Sequence, residues 1–135
     1  MVLFQWKNDY SVNVRQFDNH HKKLIDLINS LHDSMLTGKH QIVIGKILKD
    51  LLDYTRYHFG EEEKLMINHK FSGYAEHKSQ HDKFVAKVCE CIQRYESGAL
   101  TMTIDLMNFL RDWLKSHILG TDKKYSEFFN SKNVA

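Results

Sequence analysis

His58 and Glu62 stand four residues apart, as do His77 and His81. Each pair lies in a stretch whose apolar residues recur at intervals of three and four, the spacing of an amphipathic helix. On a helix, side chains four apart stack on one face. An imidazole above a carboxylate, or above a second imidazole, is then placed to hold a transition metal. One such pair carries little weight, because surface helices produce them by chance. His21, His117 and Asp122 add three more potential ligands, and nine histidines in 135 residues is the clearest anomaly of the composition.

Four helices must position these groups. Asp18 precedes a pattern of Leu24, Ile25, Ile28, Leu31 and Met35, ended by Thr37-Gly38-Lys39. A second pattern runs through Ile42, Ile44, Ile47, Leu48, Leu51, Leu52, Tyr54, Leu65 and Met66. Residues Asn68 to Gly73 read as a loop in which Ser72 can cap the third helix. That helix carries Tyr74, Phe84, Val85, Val88 and Ile92 and stops at Ser97-Gly98. The fourth runs from about Thr101 through Ile104, Leu106, Met107, Phe109, Leu110, Trp113, Leu114 and Ile118 to a break at Leu119-Gly120, with Asp122 beyond it. A short helical tail, Lys123 to Phe129, closes the chain, and residues 1–17 form an irregular arm offering Trp6, Tyr10, Val12 and Val14 for packing. There is no proline, so nothing forbids long unkinked helices. The expected fold is all-α: one domain, residues 1–135, an up-down-up-down antiparallel four-helix bundle with an N-terminal arm and a short C-terminal helix.

Alternating topology tests the ligands as a set. The start of the first helix, the end of the second, the start of the third and the end of the fourth share one end of the bundle. His21, His58 with Glu62, His77 with His81, and His117 all occupy that end. A ligand in mid-helix would miss it by a turn or more, at about 1.5 Å per residue. The surrounding residues are apolar, so buried imidazoles and carboxylates would be costly without a metal or hydrogen bonds. Four histidines fall outside the set. His20 is rotated by about 100° from His21 and should face away; His32 lies about 16 Å further along the helix; His40 and His69 fall in or near loops.

Several function classes drop out. A formal charge of +2 spread over both signs offers no basic stripe for nucleic acid. No run approaches the roughly 18 apolar residues of a membrane span, and the start does not read as a signal peptide. Cys89 and Cys91 point to different sides of a helix, do not suit pairing with each other, and fit a reducing compartment. The expected location is cytoplasmic. A structural zinc site fits poorly, because such sites usually take four ligands and seven converge here.

The pattern Asp18-x-x-His21-Lys22, His58-Phe59-x-x-Glu62-Glu63-x-x-Met66, His77-x-x-x-His81, Trp113-Leu114-x-x-His117-Ile118 and Asp122-x-x-Tyr125 resembles the hemerythrin family, particularly its single-domain bacterial members. With Trp6 and Tyr10 in the arm, the resemblance spans nearly the whole chain. It implies two iron ions with an oxo or hydroxo bridge: His77, His81 and His117 on one, His21 and His58 on the other, Glu62 and Asp122 bridging both. Two six-coordinate ions offer about twelve positions; five imidazoles, two bridging carboxylates and the shared oxygen leave one open, room for a small diatomic ligand. The resemblance therefore implies reversible binding of molecular oxygen, with Leu24, Phe59, Trp113, Leu114 and Ile118 lining the oxygen pocket. An oxygen or redox sensor, or a di-iron enzyme handling peroxide or nitric oxide, is the alternative. Carboxylate-rich Glu-x-x-His pairs mark the ferritin-like enzymes; the pairs here are histidine-rich.

Overall fold

Leu24, Ile25, Ile28 and Leu31 recur along one face of a helix, and all four are buried. In the computed structural model, which describes residues 3–37, 41–97 and 104–135, that helix is α1, Arg15–Leu36. It is followed by α2 (Gln41–Asn68), α3 (Tyr74–Glu96), α4 (Ile104–Ser116), a π-helical turn (His117–Asp122) and α5 (Lys123–Ser131). A 3-10 turn, Asn8–Tyr10, interrupts the arm. The helices α1 to α4 form the expected antiparallel four-helix bundle, with α1 packed on α2 and α4, and α2 on α3. Phe84 of α3 stacks on Trp113 of α4 with ring centroids 4.0 Å apart, which joins the remaining pair. No described helix is long and apolar enough to cross a membrane.

The core is filled from every helix: Phe17 from α1, Leu48 and Leu51 from α2, Val88 and Ile92 from α3, and Met107, Leu110 and Leu114 from α4. Gly38, Lys39, His40, Gly98 and Thr101, and the side chains of Ile42, Ile104 and Leu106, lie outside the described residues.

Two local expectations, the Ser72 cap and the Leu119-Gly120 break, are corrected. The loop after α2 has no glycine at its start, yet Lys70 takes the left-handed conformation, φ 57°. Phe71 N–H donates to Met66 O and Lys70 N–H to Ile67 O, which satisfies the last carbonyls of α2. Ser72 does not cap α3; the cap position belongs to Gly73, whose missing Cβ leaves room for the Phe71 ring. The expected break at Leu119-Gly120 is absent, because Gly120 sits inside the π-helical turn and the chain runs on into α5.

The arm is stitched rather than loose. Asn29 of α1 accepts from Phe4 N–H (2.9 Å) and donates to Phe4 O (2.7 Å). Asp18 does not stand outside α1 but in its first turn, where it accepts from Val12 N–H (2.8 Å) and Ser11 Oγ (2.6 Å). Ser126 of α5 donates to Val12 O, and Lys123 to Ser11 O. The arm thereby clamps α5 against α1. Asp18→Ala removes two bonds to a charged acceptor in a partly solvated site, and should cost about 2 kcal/mol of stability. An unchanged denaturation midpoint in urea would show that the clamp contributes nothing.

Candidate metal centre

Each helix brings its candidate ligand to the same end. His21 (α1), His58 and Glu62 (α2), His77 and His81 (α3), His117 and Asp122 (π turn) are all buried, none more than 4% exposed. Their ligating atoms form two groups: Glu62, His77, His81, His117 and Asp122 in one, His21, His58 and Glu62 in the other. Glu62 belongs to both. Asp122 reaches both as well, with Oδ1 3.0 Å from His77 Nε2 and from His117 Nε2, and Oδ2 3.1 Å from His21 Nε2.

The π turn explains how His117 and Asp122 come together. Five residues of α-helix advance about 500°, which leaves positions i and i+5 some 140° apart. Widening the turn to i→i+5 bonding brings them toward one face, and the two side chains meet at 3.0 Å.

Whether these residues fit a metal is decided by their unmet bonding. His21 Nδ1 and Nε2, His77 Nδ1 and Nε2, Glu62 Oε1 and both Asp122 carboxylate oxygens are buried with no hydrogen bond of acceptable geometry among the described residues. Orphaned buried polar atoms cost about 1–3 kcal/mol each. His81 Nε2 and His117 Nε2 face each other at 3.1 Å, and His81 Nε2 lies 3.3 Å from Glu62 Oε1. Donors held about 2.1 Å from one ion at right angles lie about 3.0 Å apart, the edge of an octahedron. The spacing and the orphaned atoms both fit metal ligation.

The charges point the same way. Burial works against a protonated His21, but the Asp122 and Glu62 carboxylates beside it outweigh burial and raise its pKa to about 9. Burial likewise opposes a charged His81, and Glu62 with Glu63 raises it to about 9. Burial drives His58 down to about 3 despite Glu62. Glu62 and Asp122 stay below the ordinary carboxylate range: burial opposes their ionisation, but the imidazoles around them outweigh it. In the metal-free fold, the raised His21 and His81 pKa values give stability that is full below the unfolded histidine value, about 6.5, and lost as pH rises through 9. Each of the two groups needs one of these nitrogens free. Loading both with a divalent ion at pH 7.5 should therefore release about two protons per chain, and the apparent affinity for each ion should climb roughly 10-fold per pH unit up to about 9. Proton uptake or release during anaerobic iron(II) addition, read in weak buffer, checks this; no release would contradict it.

A second layer of residues holds the ligands. His81 Nδ1 donates to Glu63 Oε2 at 2.9 Å. His117 Nδ1 donates to Gln80 Oε1 at 3.0 Å, and Thr121 Oγ1 donates to the same oxygen at 2.8 Å. Tyr125, fully buried, donates its hydroxyl to Glu62 Oε2. His20 departs from expectation. It does not face away but is 7% exposed, with Nδ1 2.8 Å from His58 Nδ1. Sequence reasoning assigned none of these roles. The signal was present: His20, Glu63 and Gln80 each adjoin a ligand in sequence, about 100° round its helix, and so face the ligand of the next helix. His32 is half-buried, and His69 sits in the turn after α2 against Phe129.

Apolar residues cover the centre. Phe59 stacks flat on His81 with centroids 3.6 Å apart, and Trp113 on His117 at 4.5 Å. Leu24, Phe59 and Leu114 line a cavity of about 10 Å³ together with Ile28, Leu51, Thr55 and Phe84. Trp113 instead borders a shallow surface pocket beside His117, and Ile118 is fully buried.

Comparison with known proteins agrees with this arrangement. The family model described as "Hemerythrin HHE cation binding domain" matches residues 12–129. A bacteriohemerythrin of Methylococcus capsulatus is 36% identical over 93% of this chain and 95% of its own. A hemerythrin-like protein of Naegleria gruberi is 34% identical over 90% of both chains. Among solved structures, wild-type hemerythrin superposes with a TM-score of 0.88 at 36% identity, covering 93% of this chain and 96% of that one. A leucine-to-tyrosine hemerythrin mutant gives 0.90 at 35%, covering 94% and 97%. A buried, histidine-rich donor set drawn from four helices, in a chain matched along nearly its whole length, places this protein in the hemerythrin family.

Proposed function

We propose that residues 1–135 act as one hemerythrin-like domain that holds two iron ions and binds molecular oxygen reversibly, as a carrier or store rather than an enzyme. The observation that carries this reading is the sharing of Glu62 and Asp122 between two histidine sets. His77, His81 and His117 would hold one ion, His21 and His58 the other, and the two carboxylates would bridge them. Iron held there would supply the reversible one-electron chemistry that oxygen binding and release require.

The residues of this chain govern the rest. Glu63 and Gln80 fix the orientation of His81 and His117 by hydrogen bonds to the ring nitrogen away from the ion, and Tyr125 holds Glu62 through Oε2. Leu24, Phe59, Leu114 and Ile118, all at most 3% exposed, keep water from the centre, and Trp113 covers His117 from the outside. A dry apolar wall slows proton entry and thus favours release of oxygen over its irreversible reduction. Cys89 and Cys91 are both unpaired, which supports a reducing, cytoplasmic setting.

Anaerobic iron(II) loading followed by cycles of oxygen exposure and removal tests the reading. Two irons per chain and a visible absorption that rises and falls with each cycle support it. One iron per chain, or an absorption that never reverses, overturns it.

A further inference from the structure

We propose that His20 is a positioning residue for the metal centre: its Nδ1 accepts the Nδ1 proton of His58 and so fixes the tautomer and ring angle of that ligand. The proposal rests on the di-iron reading above. His58 presents Nε2 toward Glu62 Oε1, 3.4 Å away. When Nε2 holds a metal, the only proton on the neutral ring is on Nδ1, and that proton needs an acceptor inside the protein. His58 Nδ1 lies 2.8 Å from His20 Nδ1, with both residues buried. Two imidazoles sharing one hydrogen bond must divide the roles. His58 donates, so His20 is the acceptor, neutral and protonated on Nε2. Tyr54 and Tyr57 hold the His20 ring, at centroid distances of 5.9 and 5.3 Å, and Phe17 packs on both imidazoles.

The centre is therefore supported unequally. His81 donates to a carboxylate and His117 to an amide oxygen, whereas His58 donates to a ring nitrogen. A nitrogen acceptor leaves the His58 imidazole less electron-rich than a carboxylate would, so the ion on the His21 and His58 side is the one whose retention depends on His20.

Iron(II)-loaded wild-type protein, His20→Phe and His20→Gln are challenged with ferrozine under nitrogen, and the metal-free forms are melted alongside. Phenylalanine keeps the ring and offers no acceptor; glutamine offers a carbonyl oxygen. Release of one of the two irons should quicken roughly 10- to 100-fold in His20→Phe, and glutamine should restore it to within about threefold of wild type. Equal release from wild type and His20→Phe overturns the proposal, and so does equal acceleration in both variants, which would mark a packing role. A reading free of variants comes from nitrogen-15 NMR of the zinc(II)-loaded wild-type protein, where His20 should carry its proton on Nε2; a proton on Nδ1 overturns the proposal even if His20→Phe fails to fold. A wild-type chain that never holds a second ion sinks the di-iron reading, a result distinct from two ions held without help from His20.

Discussion

Loading with iron(II) should raise the melting temperature of the metal-free protein by on the order of 30 °C. Seven buried candidate ligands converge, and His21, Glu62, His77 and Asp122 keep polar atoms with no hydrogen-bond partner, so the metal-free bundle carries the cost of those atoms. An ion that binds only the folded chain adds about 4 kcal/mol when present at a thousand times its dissociation constant. Two ions then contribute about 8 kcal/mol, and each kcal/mol moves the midpoint of a domain this size by about 4 °C. Scanning calorimetry of metal-free and anaerobically loaded protein reads the difference. A rise below about 5 °C would mean that the cluster does not hold metal in the fold. A rise of half the expected size, saturating at one ion per chain, would reduce the centre to a single ion.

The convergence of the candidate ligands was legible because it depends on topology alone. Alternating helices put His21, His58, Glu62, His77, His81 and His117 at one end whatever the details of their packing, and all six are buried there. Asp122 was harder. Helical periodicity of 3.6 residues turns it away from His117, so a chain break at Leu119-Gly120 was the natural way to bring it back. The structure uses a wider turn instead. No sequence rule distinguishes the two, since Gly120 suits either. Ser72 failed as a cap for a similar reason: the end of α2 is set by the left-handed Lys70 and the Phe71 contact, and that geometry gives the cap position to Gly73.

The second layer was missed for a different reason. Periodicity assigns a residue to one face of its own helix, but a bundle has an inner face shared by two neighbours. His20 of α1 serves His58 of α2, Glu63 of α2 serves His81 of α3, and Gln80 of α3 serves the fourth helical segment through His117. Each helix supports the ligand of the next. The consequence is that ligand orientation and helix packing are one property, so a shift of any helix against its neighbour misaims an imidazole.

His77→Ala should lose iron and His32→Ala should keep it, although both remove one imidazole from the same nine. His77 is 2% exposed, and its Nε2 lies 3.0 Å from Asp122 Oδ1 and 3.9 Å from Glu62 Oε1, beside both carboxylates of the cluster. Residues that only orient a ligand change metal affinity by about 10- to 100-fold, so deleting a ligand should exceed 100-fold. His32 is on α1 about 16 Å along the helix from His21 and touches no ligand. Both variants should still fold without metal. Loss of the His77 ring removes two unsatisfied nitrogens along with its packing against Tyr125, at a ring distance of 5.5 Å, and these effects oppose each other. Iron content after anaerobic loading and desalting gives the answer, with the metal-free melt as the control for folding. Equal loss in the two variants would detach iron binding from the geometry of the cluster. Wild-type iron content in His77→Ala would remove that residue from the ligand set.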